Sequence, residues 1–326
     1  MIATHQHSKP CTCGSITVNR ELQFDPTRTT ALRRAFEADM NRRFNWLTRL
    51  IKQAIVDQDV FGLVEPSVTT FAKKIPLPTG GLPGHRAFQF LRSSEKVGAF
   101  MDWIEQQQAK GILQVSRLPQ IGLATEQAWT DLYIEDSYKR GVIRARYEMG
   151  KAGFPVQPLE STGGIAASMS TPFHIDRVGL MYTRTFQELK GITAAMDSQI
   201  SRVLAQGMAD GDGPRLLARK LVRTITGPLG DLGIQDSLGR FIPARRRALT
   251  LARTEVIRAH HSAMVQEYRN YGLEGVKVKA EWATAGDMRV CAVCASMEGK
   301  TFTLDEISGM IPAHPSCRCI ALPSII

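Results

Sequence analysis

Nowhere do the 326 residues contain the roughly 18 to 20 uninterrupted apolar residues that a membrane-spanning helix needs, so no membrane partner is expected. The opening stretch, MIATHQHSKPCTCGS, has no apolar core of the kind that directs secretion, which sets the expectation of a reducing cytoplasm. Also missing are GxxxxGK[ST], GxGxxG, HExxH and GxSxG, and with them the phosphate-cradling loop, the dinucleotide turn, the zinc-protease helix and the serine-hydrolase elbow. No paired carboxylates and no His with a nucleophile occur at a recognisable catalytic spacing, and there is no solenoid repeat. Acidic residues are the scarcer charge, 31 against 41 Lys and Arg, for a net charge of +10. That balance favours an anionic partner such as nucleic acid and says nothing of fold. The 43% hydrophobic content is ordinary for a folded protein with a real core.

What is present is mostly helical periodicity. After a tail at residues 1–18, Leu32, Phe36, Met40, Phe44, Leu47, Ile51 and Ile55 recur at steps of three and four, with Asp25 as cap and Pro26 in the first turn. The polar face of this helix carries Arg28, Arg33, Arg34, Arg42, Arg43, Arg49 and Lys52, either a solvated face or a surface for DNA or an acidic partner. Residues 58–118 are rich in proline and glycine and read as irregular, with one short helix around SEKVGAFMDWIEQQQAKG. Helical pattern returns at 119–150, so 19–154 reads as an N-terminal helical region, and 155–172 has linker composition. Within a helical domain at 173–275, Tyr182, Phe186, Leu189, Ile192, Met196, Ile200 and Val203 form one stripe. Pro214 opens a second helix, and ARRRALTLARTEVIRAHHSAMVQEYRNYG gives a third. The third helix offers Ala252, Ala259 and Ala263 for close packing, and its adjacent His260 and His261 point about 100° apart, which suits core or surface positions better than one shared ligand. From Val276 the alternation in VKVKAEW marks a strand, and residues 276–326 form a small module. The fold class expected is therefore a mainly α-helical body with a small α+β C-terminal module of short strands, stapled by zinc.

The staple is read from cysteine spacing. Four of the six cysteines lie near the C-terminus: Cys291 and Cys294 as CxxC and, after nineteen intervening residues, His314, Cys317 and Cys319 as HxxCxC. Two short-spaced pairs joined by a loop can each grip one edge of a tetrahedral zinc site, and a module this small seldom folds without such a cross-link. The preferred set is Cys291, Cys294, His314 and Cys317, with Cys319 competing for the last place. The metal would be structural, with no open position for water. Disulfides, plain buried thiols and a catalytic Cys–His pair are the other readings of the same residues. Arg318, between two of the ligands, offsets thiolate charge or reaches a carbonyl. The N-terminal His5, His7, Cys11 and Cys13 are looser, either a second metal site or incidental residues of a tail.

The C-terminal half also carries an ordered string of motifs: ARTE at Ala252–Glu255, a strand with Trp282, DMRVCAVC at Asp287–Cys294, GKTF at Gly299–Phe302, and HPSCRC at His314–Cys319. Over about residues 175–326 this resembles the phage minor head, or head morphogenesis, proteins related to protein F of phage Mu. One departure is IPAHP where the family usually has two prolines before the histidine. The resemblance implies a minor virion protein of a tailed-phage head, made in the host bacterial cytoplasm and placed at the portal vertex or capsid interior. Its partners would be the portal protein, the major capsid protein or both, and its work head assembly, DNA packaging or DNA ejection. No enzymatic activity is implied. Arg28, Arg33, Arg34, Arg42, Arg43, Arg245, Arg246 and Arg247 are the residues expected to meet packaged double-stranded DNA through phosphates, without sequence preference, or else acidic surfaces of capsid or portal. The alternative function is an enzyme or toxin-like effector carried in the particle, such as a nuclease, peptidase or ADP-ribosyl transferase. A zinc-finger regulator is disfavoured because no recognition helix follows the ligands.

Overall fold

The computed structural model describes residues 25–64, 81–120, 123–227, 242–273 and 278–325. His5, His7, Cys11 and Cys13 lie outside the described residues. The first apolar stripe folds as α1 (Thr30–Lys52), continued by one π-helical turn, Gln53–Asp57, and Phe36, Met40, Phe44, Leu47 and Ile51 are fully buried along it. The start lies four residues later than the Asp25–Pro26 signal suggests. Asp25 still serves the helix end, from a preceding turn: its carboxylate accepts from the Thr30 amide at 2.6 Å and pairs with Arg33 at 3.1 Å. The helix expected inside the irregular stretch is long, α2 (Ser93–Gly111), and buries Phe100, Trp103 and Ile104 against the same core.

Between α2 and α3 (Asp131–Lys151) stands an antiparallel hairpin, β1 (Val115–Gln120) with β2 (Leu123–Ala128), where the sequence reading placed helix from residue 119. The reason is local. Pro119 has no amide for a helical bond, and Asp131 accepts the Ala128 amide at 2.9 Å, which stops the helix from extending backwards. Trp129 is drawn to the end of α2, its indole N–H donating to the Ile112 carbonyl at 2.8 Å. The 155–172 stretch holds a 3-10 turn, Leu159–Thr162, and a short helix α4 (Gly164–Met169) that lies beside α3.

The remaining helices are α5 (Pro172–Ala209), α6 (Pro214–Thr226) and α7 (Ala244–Leu273). Both α5 and α6 begin on a proline, where its missing amide costs nothing. α7 is the shared wall of the molecule. Its first half, from Ala244 through Ala259, joins the large core with α1, α5 and α6. The other face meets α3 closely: Ser137 Oγ donates to the Val256 carbonyl at 2.6 Å, and a Cβ placed on Gly141 would lie 2.4 Å from the His260 carbonyl oxygen. Ala252, Ala259 and Ala263 are all buried, as their small size allows.

The C-terminal module is a three-stranded antiparallel sheet in the order β4-β3-β5, built from β3 (Val278–Ala283), β4 (Thr301–Phe302) and β5 (Ile320–Ile325). Two single-turn helices, α8 (Ala292–Ala295) and α9 (Leu304–Ile307), complete it, and α9 is held by a full capping box between Thr303 and Glu306. The module does not stand apart from the helical body. Ile257 and Val265 of α7 share a core with Trp282, Ile307, Ile311 and Ala321. Hydrogen bonds fasten it there, among them His261 Nε2 to the Ile307 carbonyl at 3.0 Å, the Tyr268 hydroxyl to the Ala321 carbonyl at 3.1 Å, the Ser316 amide to Thr254 Oγ1 at 3.0 Å, and Arg269 to Asp305 at 2.8 Å. The architecture is thus mostly helical with a few short C-terminal strands.

Candidate metal centre

The CxxC pair sits where a turn becomes α8. Cys291 is the N-cap residue, and its sulfur accepts the Cys294 amide at 3.4 Å, which draws both sulfurs to one side of the turn. The second arm comes from the segment leading into β5. His314 Nδ1 donates to the Pro315 carbonyl at 2.9 Å. That bond leaves Nε2 as the lone-pair nitrogen, and Nε2 lies 3.3 Å from Cys291 Sγ and 3.2 Å from Cys294 Sγ. Cys294 Sγ is in turn 3.9 Å from Cys317 Sγ.

A tetrahedral zinc with Zn–S of about 2.3 Å and Zn–N of about 2.0 Å has S···S edges of about 3.8 Å and S···N edges of about 3.5 Å. The observed separations fall within a few tenths of an ångström of these edges. Two overlapping sets have donor atoms within 4.8 Å of one another, Cys291 with Cys294 and His314, and Cys294 with Cys317 and Cys319. Cys294 belongs to both. The structure thus brings together all five residues that spacing singled out, and both Cys317 and Cys319 stand beside the shared thiol. Cys294, Cys317 and Cys319 are buried in the apolar core with Trp282 and Ile307, a poor solvent for thiolates without a cation.

The electrostatics follow from that crowding. Burial, then the neighbouring Cys317 sulfur, pushes the Cys294 thiol up to about 12. The bond from Cys319 holds Cys317 down at about 5, and the same bond, with burial, drives Cys319 up. In the absence of a cation Cys291 and Cys317 ionise more readily than a free thiol, while Cys294 and Cys319 resist ionisation. A divalent metal removes that resistance, because each thiolate then faces a positive charge. The donor set of soft sulfurs and an oriented imidazole therefore fits a metal ion of the zinc type.

The two arms are also tied outside the cluster. Arg318 makes a bidentate pair with Asp287, 2.7 Å to Oδ2 and 2.6 Å to Oδ1, and Arg289 adds bonds at 3.0 and 3.2 Å. The Arg318 guanidinium holds the Asp287 carboxyl far below the usual carboxylate range. Arg318 thus reaches a carboxylate rather than a carbonyl. Its partner is a residue of the D-x-R-x-C motif whose role spacing alone did not reveal.

The arginines expected to face DNA are dispersed. Arg33 is buried against Asp25, and Arg43 lies 4.0 Å above the Trp129 ring while donating to the Gly111 carbonyl at 2.5 Å. Arg28 lies 5.8 Å from the Tyr147 ring centre, Arg42 is exposed and pairs with Asp39, and Arg245 donates to Asn45 at 3.0 Å. Arg247 is half-buried, and desolvation lowers its affinity for protons. Arg34 and Arg246 are exposed and make no ion pair among the described residues. Polar side chains also converge at a second place, which no motif or spacing pointed to. Glu267 accepts from His174 Nε2 at 2.9 Å and from Arg146 at 3.0 Å, while Tyr138 bonds His174 Nδ1 at 2.8 Å, all but Arg146 fully buried. This network joins α3, α5 and α7 beneath a cavity of about 430 Å³.

Comparison with known proteins gives one positive finding. Residues 198–322 match the family described as phage Mu protein F like protein, a span that runs from the last third of α5 into β5 and contains the whole Cys/His cluster. No curated protein and no solved structure matches the chain.

Proposed function

We propose, taking residues 198–322 as a member of the phage Mu protein F like family, that the chain is a minor structural protein of a tailed-phage head. The family match is the observation that carries this reading. The chain would dock on portal or major capsid protein at the portal vertex or the inner face of the shell and serve head assembly, DNA packaging or DNA ejection. A structural rather than catalytic role agrees with the chemistry of the cluster, whose donors close on one another. Among the described residues, no helix is long and apolar enough to cross a membrane.

In this reading one structural zinc is held by Cys291, Cys294, His314 and either Cys317 or Cys319, and it locks the α8 turn to the segment entering β5. Contact with packaged duplex DNA would be non-specific and electrostatic, made by exposed arginines such as Arg34, Arg42 and Arg246. One preparation tests both halves. Heads assembled with portal and capsid protein are purified by sedimentation, and the chain and its metal are quantified in the same fractions. The expected result is co-sedimentation of the chain with about one zinc per copy. Cys294→Ser, which removes the ligand common to both sets, should abolish the metal. A chain that stays at the top of the gradient refutes the head assignment, and undiminished zinc in the variant refutes the site.

A further inference from the structure

A groove runs between the end of α1 and the outer face of α6. It encloses about 550 Å³ and is lined by Lys52, Val56, Arg215, Ala218, Arg219, Val222 and Arg223. Its origin is plain in the α6 sequence, PRLLARKLVRTIT. Leu217, Ala218, Leu221 and Ile225 turn inward to the core, while Arg215, Arg219 and Arg223, each four residues from the next, form an exposed rail along one edge. Lys52 stands on the opposite edge, with Arg49 one turn before it on α1, both exposed. Val56, Ala218 and Val222 form the floor.

Two properties separate this groove from the basic face of a solvated helix. The first is that its cations are unspent. None of Lys52, Arg215, Arg219 or Arg223 forms an ion pair or side-chain hydrogen bond among the described residues, whereas Lys220, on the same helix, is taken up by Asp212 at 2.6 Å. Among the described residues no carboxylate lines the groove. The second is the apolar floor between the two cationic edges. A phosphate backbone is satisfied by charge alone and gains little from an aliphatic floor. An amphipathic helix with acidic flanks gains from both, because its apolar stripe buries on the floor while its carboxylates meet the edges.

We propose that this groove is a docking site for an acidic amphipathic helix of a partner protein. The guest would lay an apolar stripe against Val56, Ala218 and Val222 and place glutamates or aspartates opposite Arg215, Arg219 and Arg223 on one side and Lys52 on the other. The groove carries this assignment whether or not the chain is built into a phage head, so the sedimentation experiment above and the one that follows can fail independently.

The test titrates the full-length protein against a labelled synthetic peptide of about five helical turns, leucine on one face and glutamate on the other. A scrambled peptide of the same composition and a short random-sequence DNA duplex serve as comparisons, all read by fluorescence anisotropy. The amphipathic peptide should bind about tenfold or more tightly than the scrambled one, because only it presents a continuous stripe. Two variants should each weaken it about tenfold or more: the triple Arg215→Glu, Arg219→Glu, Arg223→Glu, and Val222→Asp alone. The triple replacement by lysine should stay close to wild type, which separates loss of charge from loss of fold. Three results overturn the assignment: no preference for the amphipathic peptide, duplex binding that the triple reversal abolishes but Val222→Asp leaves intact, and self-association removed by the same variants. The second would make the groove a nucleic-acid rail, and the third an interface between copies.

Discussion

His260 and His261 are both fully buried in α7, and acid should expose the cost of that placement. Burial, reinforced by the nearby Arg144, lowers His260 to about 3, although Asp25 opposes the effect. Burial likewise lowers His261 to about 4, against the raising influence of the Ile307 carbonyl. An imidazole in the unfolded chain titrates near 6.5. The folded state therefore holds both rings neutral, and their contribution is fully present above pH 6.5. It is lost as the pH falls through 6.5 toward 3 or 4, because the unfolded chain takes up protons that the folded one refuses. At about 1.4 kcal/mol per pH unit per group, each ring costs about 2 kcal/mol of stability at pH 5, and the pair about 4. Asp197 acts in the opposite direction. Burial raises it to about 6, so it binds a proton in the folded state first and returns about 1 kcal/mol at the same pH once its partial exposure is allowed for. These three groups together give a loss of about 3 kcal/mol between pH 7.5 and pH 5. Urea unfolding at both pH values measures it. The double variant His260→Gln, His261→Gln isolates the two rings, since metal release and Asp197 contribute equally to both proteins. Wild type should lose about 4 kcal/mol more than the variant over that interval. Identical losses would refute the reasoning, however large they were.

Gly141→Ala should destabilise the fold by about 1 to 2 kcal/mol despite a better helix propensity, because the new Cβ meets the His260 carbonyl and the Ala263 methyl across the α3–α7 contact. Thermal unfolding at neutral pH checks this, and a stabilised variant would show that the two helices can move apart cheaply. Asp287→Asn should leave the fold intact but weaken zinc about tenfold or more, because the bidentate bond to Arg318 ties the CxxC loop to the Cys317–Cys319 arm. Competition with a chromogenic chelator reads the affinity, and a value within twofold of wild type would show that the tie does not position the ligands.

The features legible in the sequence were those encoded by local spacing. α1 and α5 announce themselves by apolar residues at steps of three and four, Pro214 marks a helix start, and the five Cys/His residues fall in two short motifs. What escaped either left the apolar pattern unbroken or depended on partners distant in the chain. Arg33 looks like one more residue of a polar face, yet Asp25 and the packing around α1 bury it. The hairpin at 115–128 competes with helix through Pro119 and the Asp131 bond to Ala128, and neither breaks the apolar pattern strongly. Tyr138, His174 and Glu267 are separated by 36 and 93 residues, so no window of sequence brings them together. The cationic rail on α6 was open to reading from its four-residue spacing, but only the structure shows that no acid among the described residues neutralises it.

The way α7 is shared bears on how such a protein can be inherited. Its first half closes the large helical core, and its second half supplies Met264, Val265, Tyr268 and Tyr271 to cores completed by the strands. A gene segment encoding only residues 276–326 would therefore travel without the wall its strands and cysteines pack on, and its product would have an uncovered apolar face. The span matched by the family begins at residue 198, inside α5, and so carries α6, α7 and the strands together. The matched span thus keeps the helical wall together with the sheet that carries the Cys/His cluster.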